Sequence, residues 1–177
     1  MKPRFPLSQI PKIAERYSYK SEKELLALVP VVKRQGYLTR DQLFTVCNWK
    51  SSRKPDLANA NSEQFVREIT GFALSATDER SRIELLTLLD GVRSPTASTI
   101  LHWFHPEVYP ILDFRALWSL RLTRKPPYYS VTFWHSYFSG WRVLLQQAQQ
   151  QCATITPRQF DQALWQYSKE KQPTNRA

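Results

Sequence analysis

Apolar residues in this chain recur at three- and four-residue spacing far more often than in alternation, which predicts helices. The segment "SEKELLALVPVVKRQG" opens on Ser21 with Glu24 three residues later, a capping box, and stops at Gly36. Pro30 inside it is expected to kink or split the helix. "TRDQLFTVCNWK" repeats the box with Thr39 and Gln42, and "TPRQFDQALWQYSKEK" repeats it with Thr156 and Gln159, with Pro157 at the first helical position. In "NSEQFVREITGFALSAT" the residues Phe65, Ile69, Phe72 and Ala73 share one helical face, and in "TDERSRIELLTLLDG" Ile83, Leu86 and Leu89 do the same. Phe133, Trp134, Tyr137, Phe138 and Trp141 form an aromatic stripe expected in the core.

Strand signals are scarce. The chain has four glycines, and its one Asp-Gly pair, Asp90-Gly91, lies between two helical patterns. "NWKSSRKPDLANAN" and "LTRKPPYYS" read as loops, and the final "QPTNRA" as a fraying end. The expected architecture is a compact all-α domain of about eight to ten short helices.

Length and composition narrow the function. A chain of 177 residues and 20.8 kDa is sized for one domain, residues 1–177, with a sizeable core, and 42% hydrophobic residues mark it as folded. No apolar run approaches the ~20 residues of a membrane span, and "MKPRFPLSQIPKIAERY" lacks the apolar stretch of a secretory leader. Cys47 and Cys152 are too few for a zinc or iron–sulfur site, and free thiols in a reducing cytoplasm are expected. His102 and His105 with Asp113 have no metal-ligand spacing, so no metal and no cofactor are assigned.

The net charge of +10 points to a polyanionic partner. Residues 1–60 carry +7, residues 61–113 carry −4 and residues 114–177 carry +7, so both flanks are basic and the middle is not.

The acidic middle holds the most informative stretch, "LLDGVRSPTASTILHWFHPEVYPILDFRALWSL", residues 88–120. An amphipathic helix ends in Asp90-Gly91-Val92-Arg93, a tight turn in which Gly91 takes a positive φ. Ser94 is placed as N-cap, Pro95 in the first turn, and "PTASTILHWF" as the second helix, so a helix-hairpin-helix spans about residues 81–104. The start of that second helix is expected to present unpaired backbone N–H groups to a phosphate.

Leu89-x-Gly91-Val92-x-x-x-Thr96-Ala97 resembles the hairpin of the helix-hairpin-helix DNA glycosylases. In that superfamily an essential aspartate follows after another helix and loop; here Asp113 lies 18 residues beyond Pro95, and "YPILD" is similar to the adenine-glycosylase branch. The resemblance covers roughly residues 85–120. Bifunctional members carry a Schiff-base lysine where this chain has Pro95, so the resemblance implies a monofunctional type without an iron–sulfur cluster, and it carries over no target base.

The resulting expectation is a protein that binds double-stranded DNA, flips a damaged or modified base, and hydrolyses its N-glycosidic bond without lyase activity. Asp113 is the catalytic carboxylate, although an aspartate before "FRALWSL" is equally suited to cap a helix. Gly91, Val92, Arg93, Ser94, Thr96, Lys50 and Arg53 are assigned to DNA binding, and Trp49, Trp103 and Arg115 to the base pocket. The alternatives are a non-catalytic helix-hairpin-helix DNA-binding module and a basic interaction subunit. A cytoplasmic protein of bacterial type, nucleoid-associated when bound, with no membrane partner and a monomer allowed, completes the expectation.

Overall fold

A computed structural model describes residues 1–51, 55–105, 107–122 and 129–173. The described residues are all-α, with no strand among them. The helices are α1 (Ile10–Ala14), α2 (Lys23–Gln35), α3 (Arg40–Lys50), α4 (Glu63–Ser75), α5 (Glu79–Leu86), α6 (Ser94–Phe104), α7 (Phe114–Ser119), α8 (Val131–Gln151) and α9 (Pro157–Lys171). No described helix is long and apolar enough to cross a membrane. By its contacts the chain forms two compact units, Met1–Tyr19 with Pro110–Ala177 (unit 1) and Lys20–Tyr109 (unit 2). The loop expected at "LTRKPPYYS" lies mostly outside the described residues, as does the end of "QPTNRA".

Unit 2 is built on α6, which packs on α2, α3 and α5 and buries Thr96–Leu101 together with Trp103 and Phe104. Thr39 forms the expected capping box with Gln42 at α3, and Gly36 ends α2 with φ 79°. The box at Ser21 does not form: Glu22 is the N-cap, and Ser21 Oγ accepts only from Lys23 N at 3.3 Å. Pro30 does not divide α2, which runs through it with Leu25 and Val32 buried on one side and the proline exposed on the other.

The stripe expected on α4 is turned by one position. Val66, Ile69, Thr70 and Ala73 are buried, whereas Phe65 and Phe72 are 38% and 61% exposed. Thr70 explains the shift: its hydroxyl donates to Val66 O at 2.7 Å and accepts from Leu38 N at 2.9 Å, so a polar side chain is satisfied inside and tethers the α2–α3 connection. The "NWKSSRKPDLANAN" segment is not simply loop, since Pro55–Ala60 form a 3-10 turn against α3.

Arg82 of α5 is buried and bonds Ala76 O, Glu79, the Tyr109 hydroxyl and Glu107, tying α5 to the segment after α6. Beside it His105 Nδ1 accepts from Glu107 N at 3.0 Å, and His102 Nδ1 lies 2.5 Å from Tyr109 O.

Unit 1 is built on α9, which packs on α1 and α7. The Thr156–Gln159 box and Pro157 start α9 as expected, and Ser130 caps α8 by accepting from Phe133 N. The aromatic stripe of α8 is core: Trp134, Tyr137, Phe138 and Trp141 are buried, with Phe133 half-buried. Trp141 stacks on Phe160 with ring centroids 5.4 Å apart, and buried Ser119 donates to Leu164 O at 2.6 Å to join α7 to α9.

Burial, and then the Arg82 guanidinium, hold the His105 imidazole below its usual range, against a smaller opposing pull from Glu107 and Glu79. The unfolded chain therefore binds the His105 proton first. This contribution to stability is complete above about pH 6.5 and is lost as pH falls toward the folded pKa. Urea unfolding between about pH 7.5 and about pH 5.5 should show stability falling on acidification by at most about 1.4 kcal/mol per pH unit from this group, and His105→Asn should flatten that slope.

Candidate nucleic-acid interface

The residues expected at a hairpin form a tight turn between α5 and α6, within unit 2. After α5 the chain tightens through Leu88 N to Leu85 O and Leu89 N to Leu86 O, and Val92 N then donates to Leu89 O at 3.1 Å. Gly91 sits at the third position of that turn with φ 81°, and Asp90 has no positive φ, which makes it a type II turn. Leu89 and Val92 point inward and anchor it.

A second constraint also favours glycine. A Cβ at Gly91 would stand 3.0 Å from Ala58 N and 3.2 Å from Leu57 Cβ, so the 3-10 turn of Pro55–Ala60 lies directly against the hairpin. Buried Asn61 locks the two together. Its Oδ1 accepts from Asp90 N at 2.9 Å, and its Nδ2 donates to Asp90 O at 3.1 Å and to Ala58 O at 3.0 Å. A short polar side chain thus replaces the ladder bonds that a turn backbone lacks.

The hairpin borders a cavity of about 400 Å³ lined by Cys47, Lys50, Ser51, Leu57, Gly91, Arg93, Pro95 and Thr96. Four of the residues assigned to DNA binding, Gly91, Arg93, Thr96 and Lys50, therefore meet around one concavity between the end of α3 and the start of α6. Arg93 is exposed and Lys50 half-buried, so both cations reach its rim. Val92 takes no part in the lining, because its side chain is in the core. Arg53 lies outside the described residues. Burial pushes the Cys47 thiol up to about 12, which makes it an inert wall rather than a nucleophile.

The start of α6 corrects one expectation. Arg93, not Ser94, is the N-cap, with φ −117° and ψ 172°, and Ser94 is already helical. No side-chain oxygen caps this terminus, Pro95 has no N–H, and Thr96 N and Ala97 N both donate to Arg93 O at 2.8 and 2.9 Å. The helix start therefore offers few free backbone donors, and the cations beside it are the Lys50 and Arg93 side chains.

Asp113 belongs to unit 1. It is the N-cap of α7, half-buried, and its Oδ1 accepts from Arg115 N at 2.9 Å. The segment before it is held from two sides. Tyr137 donates its hydroxyl to Ile111 O at 3.0 Å, and buried Asp161 accepts from Ile111 N at 3.1 Å. Burial, with Asp161 and Asp113 adding to it, keeps the Tyr137 hydroxyl protonated and so a permanent donor. Tyr19 and Tyr129 also stand within reach of the Asp113 charge, which adds to burial in raising both phenols.

The residues assigned to a base pocket are not one cluster. Trp49 and Trp103 are buried in unit 2 and meet edge to face at 6.0 Å, whereas Arg115 lies in unit 1 with its guanidinium 5.2 Å from the Trp165 ring. Asn61, Tyr137 and Asp161, which hold the two key segments, carried no signal for that role in the sequence, where Tyr137 read only as part of a core aromatic stripe. Their partners lie 29, 26 and 50 residues away along the chain. No family model, curated protein or solved structure matches this chain.

The clamp and the turn are testable apart from any activity. Asn61→Asp keeps the acceptor but removes the donor to Asp90 O and Ala58 O, and should destabilise the fold by about 1–3 kcal/mol in urea unfolding. Gly91→Val should lose at least as much, about 1–3 kcal/mol from φ alone, with the contact to Ala58 added to it. An Asn61→Asp protein as stable as the parent would show that the hairpin does not depend on the clamp.

Proposed function

We propose that this protein binds DNA through the Gly91 hairpin and its flanking cations and hydrolyses the N-glycosidic bond of a flipped base, with Asp113 as the catalytic carboxylate. The observation that carries the reading is the concavity beside the hairpin, where Lys50, Arg93 and Thr96 converge on a glycine turn held rigid by Asn61. Phosphate grip needs positive side chains fixed on a stiff backbone, and this arrangement supplies both.

In the proposed reaction the C1′–N bond breaks toward an oxocarbenium-like sugar. Water adds to C1′, and the base departs with the bonding electron pair and takes up a proton. The Asp113 carboxylate opposes the positive charge that grows on the sugar. The pinning of Ile111 by Tyr137 and Asp161 supports that role, because an electrostatic stabiliser works best when it does not have to reorganise. Pro95 offers no amine, so no Schiff base forms at this position and the product is an abasic site in an intact strand.

One observation favours a second reading, a non-catalytic DNA-binding module. Asp113 Oδ1 is already engaged as the α7 N-cap, which is sufficient structural reason for an aspartate there. The Asp113→Asn protein separates the two readings, since asparagine also caps helices well but carries no charge.

Duplex binding should weaken by about ten-fold or more between low and physiological salt, because several phosphate contacts release counterions. Across a panel of damaged and modified duplexes, one substrate should release its base, with strand scission appearing only after alkali and borohydride trapping no protein–DNA adduct. On that substrate Asp113→Asn should lower the rate by about 10²–10³ while leaving DNA affinity equal or tighter. Base release by Asp113→Asn at the parental rate would reduce Asp113 to a cap.

A further inference from the structure

The two units share the net charge of +10 very unequally. Unit 1 contains 13 basic and 4 acidic side chains, a net +9, whereas unit 2, with the hairpin, contains 12 and 11, a net +1. Nearly all the net charge that would attract a polyanion therefore belongs to unit 1, whereas the motif that resembles a DNA-binding hairpin belongs to unit 2.

Within unit 1 one surface combines that charge with aromatic rings. Phe114, next to Asp113, is 41% exposed. The Arg115 guanidinium lies 5.1 Å from the Phe114 ring and 5.2 Å from the Trp165 ring, so it is held by two rings, and no described carboxylate pairs with it. Lys169 adds a second cation 5.4 Å from Trp165, steadied by Ser18 Oγ at 2.8 Å. Tyr17 and Tyr19 approach Trp165 with ring centroids at 5.4 and 5.1 Å and complete the wall. The other nearby cations are already committed, Arg158 to Asp161 and Arg16 to Glu170.

We infer that the Phe114–Arg115–Trp165–Lys169 surface is a contact for an unpaired DNA strand, with Phe114 stacking on a base and Arg115 and Lys169 taking the adjoining phosphates. An unpaired strand fits better than a closed duplex, because a half-exposed ring beside oriented cations matches a splayed base and its backbone. Trp165 is a positioning residue: it stiffens Arg115 and has no assigned contact with the strand. The inference rests on the reading that the partner is DNA, and it deepens that reading by naming a second contact whose preference is for single strands.

The test is fluorescence anisotropy of the full chain with labelled oligo(dT) and with a duplex of equal length, each across a salt series. Phe114→Ala should weaken oligo(dT) binding by about ten-fold with the salt slope unchanged, and Phe114→Tyr should restore it to within about two-fold. Arg115→Ala should weaken binding and reduce the slope by about one phosphate contact. Both positions are at least partly exposed, and thermal melting confirms that each variant is folded. Parental binding by both alanine variants would overturn the inference and leave the hairpin reading standing. Loss of oligo(dT) binding in Phe114→Ala, with no base release from any duplex and no effect of Arg93→Ala on duplex affinity, would support the inference and remove the glycosylase reading. Absence of salt-dependent DNA binding by the parent, or equal binding of polyglutamate by parent and Phe114→Ala, would overturn the inference and the DNA partner together.

Discussion

A backbone residue bonded through both its N–H and its C=O to side chains holds each of the two segments on which function is proposed to rest. Asn61 does this to Asp90, one residue before the left-handed Gly91. Asp161 and Tyr137 do it to Ile111, two residues before Asp113. Segments between helices have no ladder to satisfy their peptide groups, and a buried peptide left unbonded is costly. Satisfying donor and acceptor together removes that cost and also removes the freedom to shift register. Both segments are thereby stiff enough to place a turn and a carboxylate, although neither belongs to regular structure.

Much of the local architecture was legible because its signals are local. Thr39 with Gln42 and Thr156 with Gln159 cap their helices through partners three residues away, and Asp113 caps α7 through a partner two residues away. The glycine turn at Gly91 was readable for the same reason. Failures occur where a distant partner decides or where a helix starts at a neighbouring position. Phe65 and Phe72 are stronger hydrophobes than Thr70, yet Thr70 is the residue inside, because Leu38 N from 32 positions away needs its hydroxyl. Ser21 has the residues of a capping box, but the helix begins one position later than that box requires. Ser94 has the chemistry of an N-cap but is drawn into the helix, because Arg93 O already accepts from both Thr96 and Ala97.

The hairpin concavity was legible in composition rather than in shape. Gly91, Arg93 and Thr96 come from one motif, and Lys50 joins them only because α3 packs on α6. The Pro55–Ala60 turn that presses on Gly91 read as a loop, since proline and small polar residues signal both. Its contact adds crowding to the positive φ, so the turn disfavours a side chain even where a non-glycine residue such as asparagine adopts positive φ at modest strain.

Charge along the chain carried more meaning than its three-part pattern disclosed. Basic flanks around an acidic middle describe a sequence; the fold brings residues 1–19 together with residues 110–177 in one unit of net +9 and assigns the rest of the first flank, residues 20–60, to unit 2 with the acidic middle. Long-range attraction scales with net charge, whereas specific contact depends on where a few groups are fixed. The two demands are met in different places here. Unit 2 supplies a rigid turn with Lys50 and Arg93 against a nearly neutral background, and a neutral background adds little non-specific affinity to mask the geometry of a specific contact. Unit 1 carries most of the net positive charge and, at Phe114, Arg115 and Trp165, rings that order a cation without neutralising it. Within that basic unit Asp113 accepts a backbone N–H at the head of α7, which fixes one carboxylate oxygen, and its charge adds to burial in raising the Tyr19 and Tyr129 phenols.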